Sequence, residues 1–482
     1  IEGTGLNTQG SDYTDLLARA VKVNAGIWAN NLAITTGANS INADNSQATA
    51  NTSTGTTPSV AIDTSALGGM YAGKIILIGT EKGVGVNNAG QIAASAGNVT
   101  INANGMLSNS GTINSNLGAD GTTANTQIQS TSLTNTGSIS SQGNTQIQTA
   151  ILTNSGTIAA GREAKLTATD LNNSTGTING QRIDITATHL GNTQGKIQQT
   201  GTQALALNAG SINNSNNGLI GYEPLDAGGG TDTGGTGTGS TGTGTTTPPS
   251  TATGGGSSSV VQPATVVLAD GQINVQNHLN NDAGRITANG GIDLTASNGL
   301  ENHATLNLNK LNVMGDSLNN SSGSITTSQT DVSTHTVNNI AGKIQTYGNS
   351  TIRANFIDNH TGLIRSDLAN KLTASTLNNS NTQGVDQGIE GDTVAIQSSQ
   401  LTNVSGAIRA KNDLMAQGKG LTNDHIDNSQ GLMSSNGTLK LTDNDSNTLA
   451  ITNTAGQIIS EGNSSIQAKG LTGDGTVTSN TD

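Results

Sequence analysis

Leu133-Thr134-Asn135-Thr136-Gly137-Ser138-Ile139, Leu152-Thr153-Asn154-Ser155-Gly156-Thr157-Ile158, Leu171-Asn172-Asn173-Ser174-Thr175-Gly176-Thr177-Ile178 and Leu190-Gly191-Asn192-Thr193-Gln194-Gly195-Lys196-Ile197 are four versions of one phrase. The phrase is Leu-x-Asn-x(1–2)-Gly-x-Ile. A short polar turn follows each copy, and then alternating apolar residues: Ile147, then Leu166 and Ala168, then Ile183 and Ile185, then Leu205 and Leu207. Asn135, Asn154, Asn173 and Asn192 step by 19 residues, and Asn320, Asn339, Asn359 and Asn379 repeat the pattern at 19, 20 and 20. Looser copies stand at Leu107-Asn109, Leu279-Asn281, Leu401-Asn403, Leu421-Asn423 and Ile451-Asn453.

Period-2 apolar alternation inside a period near 20 has a direct physical meaning. Each copy is one coil of short strands whose inward residues alternate with outward ones. At about 3.3 Å per residue, such a coil holds roughly three strands and their turns. One coil cannot bury its aliphatic row, whereas a stack buries a continuous one. Gly at a fixed place supplies a corner, either by a positive φ or by letting two backbones approach closely. Identical asparagines one coil apart form a ladder of side-chain amides bonded along the stack. The structural role of Asn135, Asn154, Asn173, Asn192, Asn320, Asn339, Asn359 and Asn379 outweighs any ligand-binding one. The expected fold is an all-β solenoid, a parallel β-helix with coils of about 19–25 residues. Helical solenoids are excluded by the dense Gly, Asn, Ser and Thr and by the lack of a 3.6-residue period.

Composition agrees with a thin body. Hydrophobic residues make up 32% and aromatics 1% of the 482 residues, too few large side chains for a wide core. Disorder is the competing reading, but only 11% of residues are charged, below what disordered chains usually carry. A net charge of −13 without a Lys/Arg cluster argues against nucleic acid, whose binding rests on phosphate neutralisation. The chain has no cysteine, so no disulfide staples the fold. No apolar run approaches the ~20 residues of a transmembrane helix. The chain starts at Ile1, and an internal piece of a longer secreted protein is expected.

Four segments follow. Residues 1–90 hold the single Trp and denser apolar runs such as Lys74-Ile75-Ile76-Leu77-Ile78-Gly79, with a polar loop from Asn39 to Pro58. Regular coils occupy 91–225. Residues 226–259 are almost wholly Gly, Thr and Ser with Pro248-Pro249, a flexible insert. Coils resume over 260–482. A loop extruded from one uninterrupted stack is favoured over a linker between two blocks, because an interrupted stack exposes two bare coil faces.

Motifs that could carry chemistry are weak. Asp443-Asn444-Asp445-Ser446-Asn447 imitates the start of a calcium loop, but Thr448 and Thr454 stand where Gly and Glu are required. A turn is the better reading. Gly83-Val84-Gly85 lacks the third glycine and helix of a dinucleotide site, and the Gly-rich stretch 228–244 lacks the register of a calcium-binding nonapeptide repeat. Histidines 189, 278, 303, 335, 360 and 425 have no ligand spacing. Some β-helices cleave polysaccharides, which takes paired carboxylates near aromatic platforms. Asp358, Asp367 and Asp386 are scattered over different copies, with Phe356 and Tyr347 the only rings nearby. No catalytic residue, metal site or cofactor is expected.

Four N-terminal stretches carry a family likeness: Asp12-Tyr13-Thr14-Asp15-Leu16-Leu17-Ala18-Arg19-Ala20, Asn24-Ala25-Gly26-Ile27-Trp28-Ala29, Ala66-Leu67-Gly68-Gly69-Met70-Tyr71-Ala72 and Gly79-Thr80-Glu81-Lys82-Gly83-Val84-Gly85-Val86. They resemble the two-partner-secretion exoproteins, the filamentous haemagglutinins and contact-dependent growth inhibition proteins, where the secretion domain passes into the first haemagglutinin repeats. The resemblance implies a right-handed parallel β-helix, export through an outer-membrane partner transporter and display on a Gram-negative surface. It also implies that any toxin and the principal receptor-binding region lie beyond residue 482. The expected function is a structural shaft that projects a distal receptor-binding or toxic region. A target-cell surface receptor is a further expected partner; the alternatives are an adhesin that binds host or neighbouring-cell ligands through the lateral face of the β-helix, and a polysaccharide-active β-helix enzyme.

Overall fold

The computed structural model describes residues 1–42, 48–52, 55–118, 121, 124–222, 271–287, 291–443 and 447–479. These form about 19 stacked turns of a β-solenoid without a helix. One turn shows the plan. Ser132–Asn135, Ser138–Ser141 and Thr145–Gln148 are three short strands on three faces. Each pairs in parallel with its counterpart one turn on: Leu133 opposite Leu152, Ile139 opposite Ile158, and Ile147 opposite Leu166. In several later turns the corners on both sides of the third face are ordered as strand, giving long elements such as Thr157–Asn172 and Thr177–Gly191 that run on into the first face of the next turn.

The core is a narrow set of small aliphatic rows. Leu152, Ile158, Ala164 and Leu166 fill one turn, Leu171, Ile178, Ile183 and Ile185 the next, and all are buried. Each is stacked under its homologue in the neighbouring turn, so the aliphatic rows run the length of the solenoid. Neither aromatic bulk nor a second core layer is needed. At about 25 cal/mol per Å2 of apolar surface, burial of each such side chain is worth roughly 1.5–3 kcal/mol.

The corner after each ladder asparagine assigns the two roles of glycine to two residues. In the Asn-x-x-Gly version the positive φ falls on the residue before the glycine: Thr175 at 62°, Gln194 at 55°, Ser322 at 57°, Ala341 at 53° and Thr361 at 53°. The motif glycine keeps a negative φ. It is needed because a Cβ at Gly342 would collide with the carbonyl oxygen of Asn320 in the preceding turn, and one at Gly362 with that of Asn339. Close approach, not left-handed backbone, fixes the glycine.

Residues 1–90 belong to the same stack. Gly26–Thr36 pairs along its length with Gly69–Gly79, and Val99–Ala103 pairs with the end of the latter. Trp28 lies outside the core and stacks on Tyr71, ring centroids 6.1 Å apart. Arg19 bridges to Glu81 at 3.0 Å. From the polar stretch 39–58, Asn39–Ile41 and Ala48–Ala50 form an antiparallel hairpin outside the solenoid. The insert 226–259 lies outside the described residues. The strands on either side of it are neighbours: Ala206–Asn213 pairs with Gly271–Val275 and with Leu279–Asn281, and Leu219–Tyr222 pairs with Arg285–Thr287.

Candidate functional site: the asparagine ladder and its flanking rows

All eight asparagines expected to form a ladder point inward at the end of a first-face strand and are buried. The structure joins them in one line with eight more: Asn88, Asn109, Asn214, Asn281, Asn302, Asn403, Asn428 and Asn453. In every step the Nδ2 of one amide donates to the Oδ1 of the next, from Asn88 to Asn109 at 2.7 Å, through Asn135 to Asn154 at 2.7 Å, to the last pair, Asn428 and Asn453, at 2.8 Å. Asn214 reaches Asn281 at 2.9 Å, so the line passes the insert unbroken although 67 residues separate the two.

Each amide also touches backbone. Nδ2 of Asn173 lies 3.2 Å from the carbonyl of Gly176 in its own corner and 3.2 Å from that of Lys196 in the next turn. Carbonyls only accept hydrogen bonds, so this environment fixes which end of each amide is nitrogen. A buried amide left unpaired costs about 1–3 kcal/mol, more than a formed bond returns. The ladder is therefore stable only when complete.

A second row runs beside the first on the outer surface. In Asn172-Asn173, Asn319-Asn320, Asp358-Asn359, Asn378-Asn379 and Asp427-Asn428 the second residue faces in and the first faces out. The outer one caps the corner: Asn172 Oδ1 accepts from the Ser174 N–H at 2.9 Å, Asp358 Oδ1 from His360 N–H at 3.0 Å, and Asn378 Oδ1 from Ser380 N–H at 3.1 Å. This capping is carried by the Asx-Asn pair itself, whether Ser follows, as at Ser174 and Ser380, or His, as at His360.

Four ladder members escaped the spacing. Asn302 is followed by Ala304 where the phrase has Gly, Asn214 by a corner lengthened with Asn216 and Asn217, and Asn88 lies in the divergent N-terminal block. Asn428 was misassigned: the Leu421-Asn423 copy is not a ladder position. Leu421 is half-exposed, and its N–H donates to the buried carboxylate of Asp424 at 2.9 Å, which closes the corner. The true copy is Ile426-x-Asn428, opposite Ile451.

The remaining candidates are dispersed. Asp358 caps a corner, Asp367 sits 3.8 Å from Arg365, and Asp386 pairs with Lys343 at 3.2 Å. Each histidine meets a partner one turn away or at its own corner, as His189 does with Asp170 at 2.7 Å and His303 with Asp282 at 3.6 Å and Glu301 at 3.7 Å. No three metal-ligating side chains converge among the described residues. Asp443 accepts from the backbone N–H of Thr448 and, at 2.9 Å, Leu449, and so closes its own corner. Burial pushes its carboxyl up, but the N–H groups of Leu449, Thr448 and Asn447 outweigh that and hold it below the ordinary carboxylate value. Residues 444–446 of the calcium-loop imitation lie outside the described residues.

The start of the ladder, Asn88 and Asn109, falls within a segment with known counterparts, since residues 1–109 match the TPS secretion domain. Over 116 residues the chain is 60% identical to Toxin CdiA of Yersinia pestis, covering 24% of this chain and 4% of that protein. It is 47% identical over 114 residues to tRNA nuclease CdiA-2 of Burkholderia pseudomallei, again 24% and 4%. Over 127 residues it is 45% identical to tRNA nuclease CdiA of Escherichia coli, 26% and 4%. The chain thus aligns with only a small part of these relatives. No solved structure matches it. The two-partner-secretion resemblance holds at the N-terminal end, and the ladder runs from that matched segment directly into the later turns.

Proposed function

We propose that this chain is the proximal shaft of an exported two-partner-secretion exoprotein, displayed on a Gram-negative cell and carrying a distal receptor-binding or toxic region away from it. An outer-membrane transporter is the partner that the secretion domain engages. The observation that supports this reading most is the unbroken amide line from Asn88, inside the secretion-domain match, to Asn453. A single stack anchored at one end transmits position along its axis, and its sixteen ladder amides bond to one another from turn to turn. Catalysis would belong to other parts of such a protein.

The test uses the full-length protein with its transporter. Deleting 110–453 joins Asn109 to Thr454 in phase and removes fourteen ladder steps, about 67 Å at ~4.8 Å each. Export and display should persist, while a C-terminal tag seen by electron cryotomography should lie about 65 Å closer to the outer membrane. An unchanged tag distance contradicts a shaft.

A further inference from the structure

Charge on the outside of the second face is gathered in one place. At equivalent register positions the outward residue is uncharged in Ser140, Ala159, Asn179, Gln198, Thr326 and Gln345. The same row then reads Arg365, Glu390 and Arg409 in three successive turns and returns to Ser434. Two residues further along each of these turns, a corner row reads Asp367, Asp392, Lys411 and Asn436. Between the rows lie Ser366, Gly391 and Ala410. Ser366 and Ala410 are buried and Gly391 has no side chain, so the space between the charged rows stays open. It is a groove of about 560 Å³, a size that suits a small-ligand site.

Mutual pairing accounts for only part of this cluster. Glu390 holds Arg409 at 3.0 Å and lies 3.8 Å from Nε of Arg365. Asp367 is also 3.8 Å from that Nε, too far for a hydrogen bond. Lys411 has no ion-pair partner among the described residues. One turn before Asp367, at the same corner, stands Tyr347 with 57% of its surface exposed. The corner backbone, by contrast, is fully engaged: the N–H groups of Asp367, Asp392 and Lys411 donate to the carbonyls of Thr346, Leu368 and Gly391 in the preceding turn, each at 2.9 Å. Recognition in this groove therefore falls to side chains.

We infer that the groove between Arg365 and Asn436 binds an uncharged glycan. A ligand of one charge sign would meet its own sign in adjacent turns, because both rows carry acid and base. Hydroxyl groups donate as well as accept, so a chain of them matches Asp367, Asp392 and Lys411 alike. Tyr347 adds an apolar ring face for the C–H side of a pyranose. A peptide fits less well. The engaged corner backbone offers no edge for strand addition, and no aliphatic side chain larger than Ala410 lines the groove to anchor one. Four turns at ~4.8 Å spacing give the groove a length of about 14 Å, room for more than one sugar unit. The inference is one of binding without cleavage, and it stands whether or not the protein projects a distal region.

The test is calorimetric titration of the whole 482-residue chain with maltohexaose, cellohexaose and chitohexaose, alongside a hyaluronan hexamer and a mixed-charge Lys/Glu hexapeptide. At least one uncharged oligosaccharide should bind, with an affinity that does not change with added salt, since no ionic contact is screened. Lys411→Ala and Tyr347→Ala should each weaken that binding about tenfold, as expected for one charged hydrogen bond or one ring contact. Both side chains are exposed, so the melting temperature should not move. Lys310→Ala, on the third face, should bind as the unaltered chain does. In hydrogen exchange, the bound sugar should slow the segments 365–367, 390–392 and 409–411. Absence of binding by all three uncharged oligosaccharides, binding of the hexapeptide or hyaluronan alone, or sugar binding that neither Lys411→Ala nor Tyr347→Ala weakens would overturn the site.

Discussion

The corner at Thr361-Gly362 separates two demands that a sequence reader merges. Thr361 is β-branched and left-handed, a conformation that costs an L-residue roughly 1–2 kcal/mol, while Gly362 has ordinary φ and no room for a Cβ. Thr361→Gly should therefore leave thermal stability unchanged or raise it by up to ~1 kcal/mol after the entropy of the added glycine is subtracted. Gly362→Ala should lower stability by about 1–3 kcal/mol, the range for overpacking. The opposite order in a melting series would mean that the glycine is there for its φ. At Asp443 the sign of the pH effect follows from its lowered folded pKa. Its contribution is complete above the unfolded carboxylate value near ~3.9 and is lost as pH falls through the lower folded value. Exchange of the Leu449 amide should rise in that acidic window, and Asp443→Asn should remove the pH dependence; an unchanged profile would show that the corner does not depend on the carboxylate.

At the scale of one turn, neighbouring asparagines do unlike work. Asn339→Ala leaves the buried Oδ1 of Asn359 without its donor and takes the side-chain acceptor from Nδ2 of Asn320, which keeps the carbonyls of Gly323 and Lys343, a cost of about 2–3 kcal/mol. Asn338→Ala removes a single outer cap on the Ile340 N–H and should cost about 0.5–1 kcal/mol. Denaturant unfolding of the two variants distinguishes them, and equal losses would contradict an inward–outward division. Much of this was legible beforehand. A 19-residue step of Asn, Gly and aliphatics contains the strand count, the inward rows and the ladder, because a period-2 strand has only two sides. What escaped were positions where the phrase is intact in space but not in letters. Ala304 replaces a glycine, Asn216 and Asn217 extend a corner, and the seven-residue corner ending at Asp424 displaced the Asn428 register onto Leu421-Asn423. Spacing counts residues, whereas the stack counts turns.

For the whole molecule, adjacency survives interruption. The pairing of Ile212 with Leu279 and of Ile220 with Ile286 requires nothing from residues 226–259. Deleting them should keep the ladder contact of Asn214 with Asn281 and raise stability by roughly 1 kcal/mol, the loop-closure gain for a several-fold shorter connection; loss of cooperative unfolding would show that the segment supports the stack. The match of residues 1–109 to the TPS secretion domain was also legible, from the motifs around Trp28, Tyr71 and Gly83. What a longer protein containing these turns does was not, because among the described residues no three metal-ligating side chains converge and the inward polar side chains serve corners and the ladder. Everything rests on turns of unequal length stacking into one axis. Electron microscopy of the purified chain tests that most directly. About 19 turns at ~4.8 Å each predict rods about 90 Å long, whereas compact particles roughly 60 Å across, as expected of a globule of this length, would contradict it.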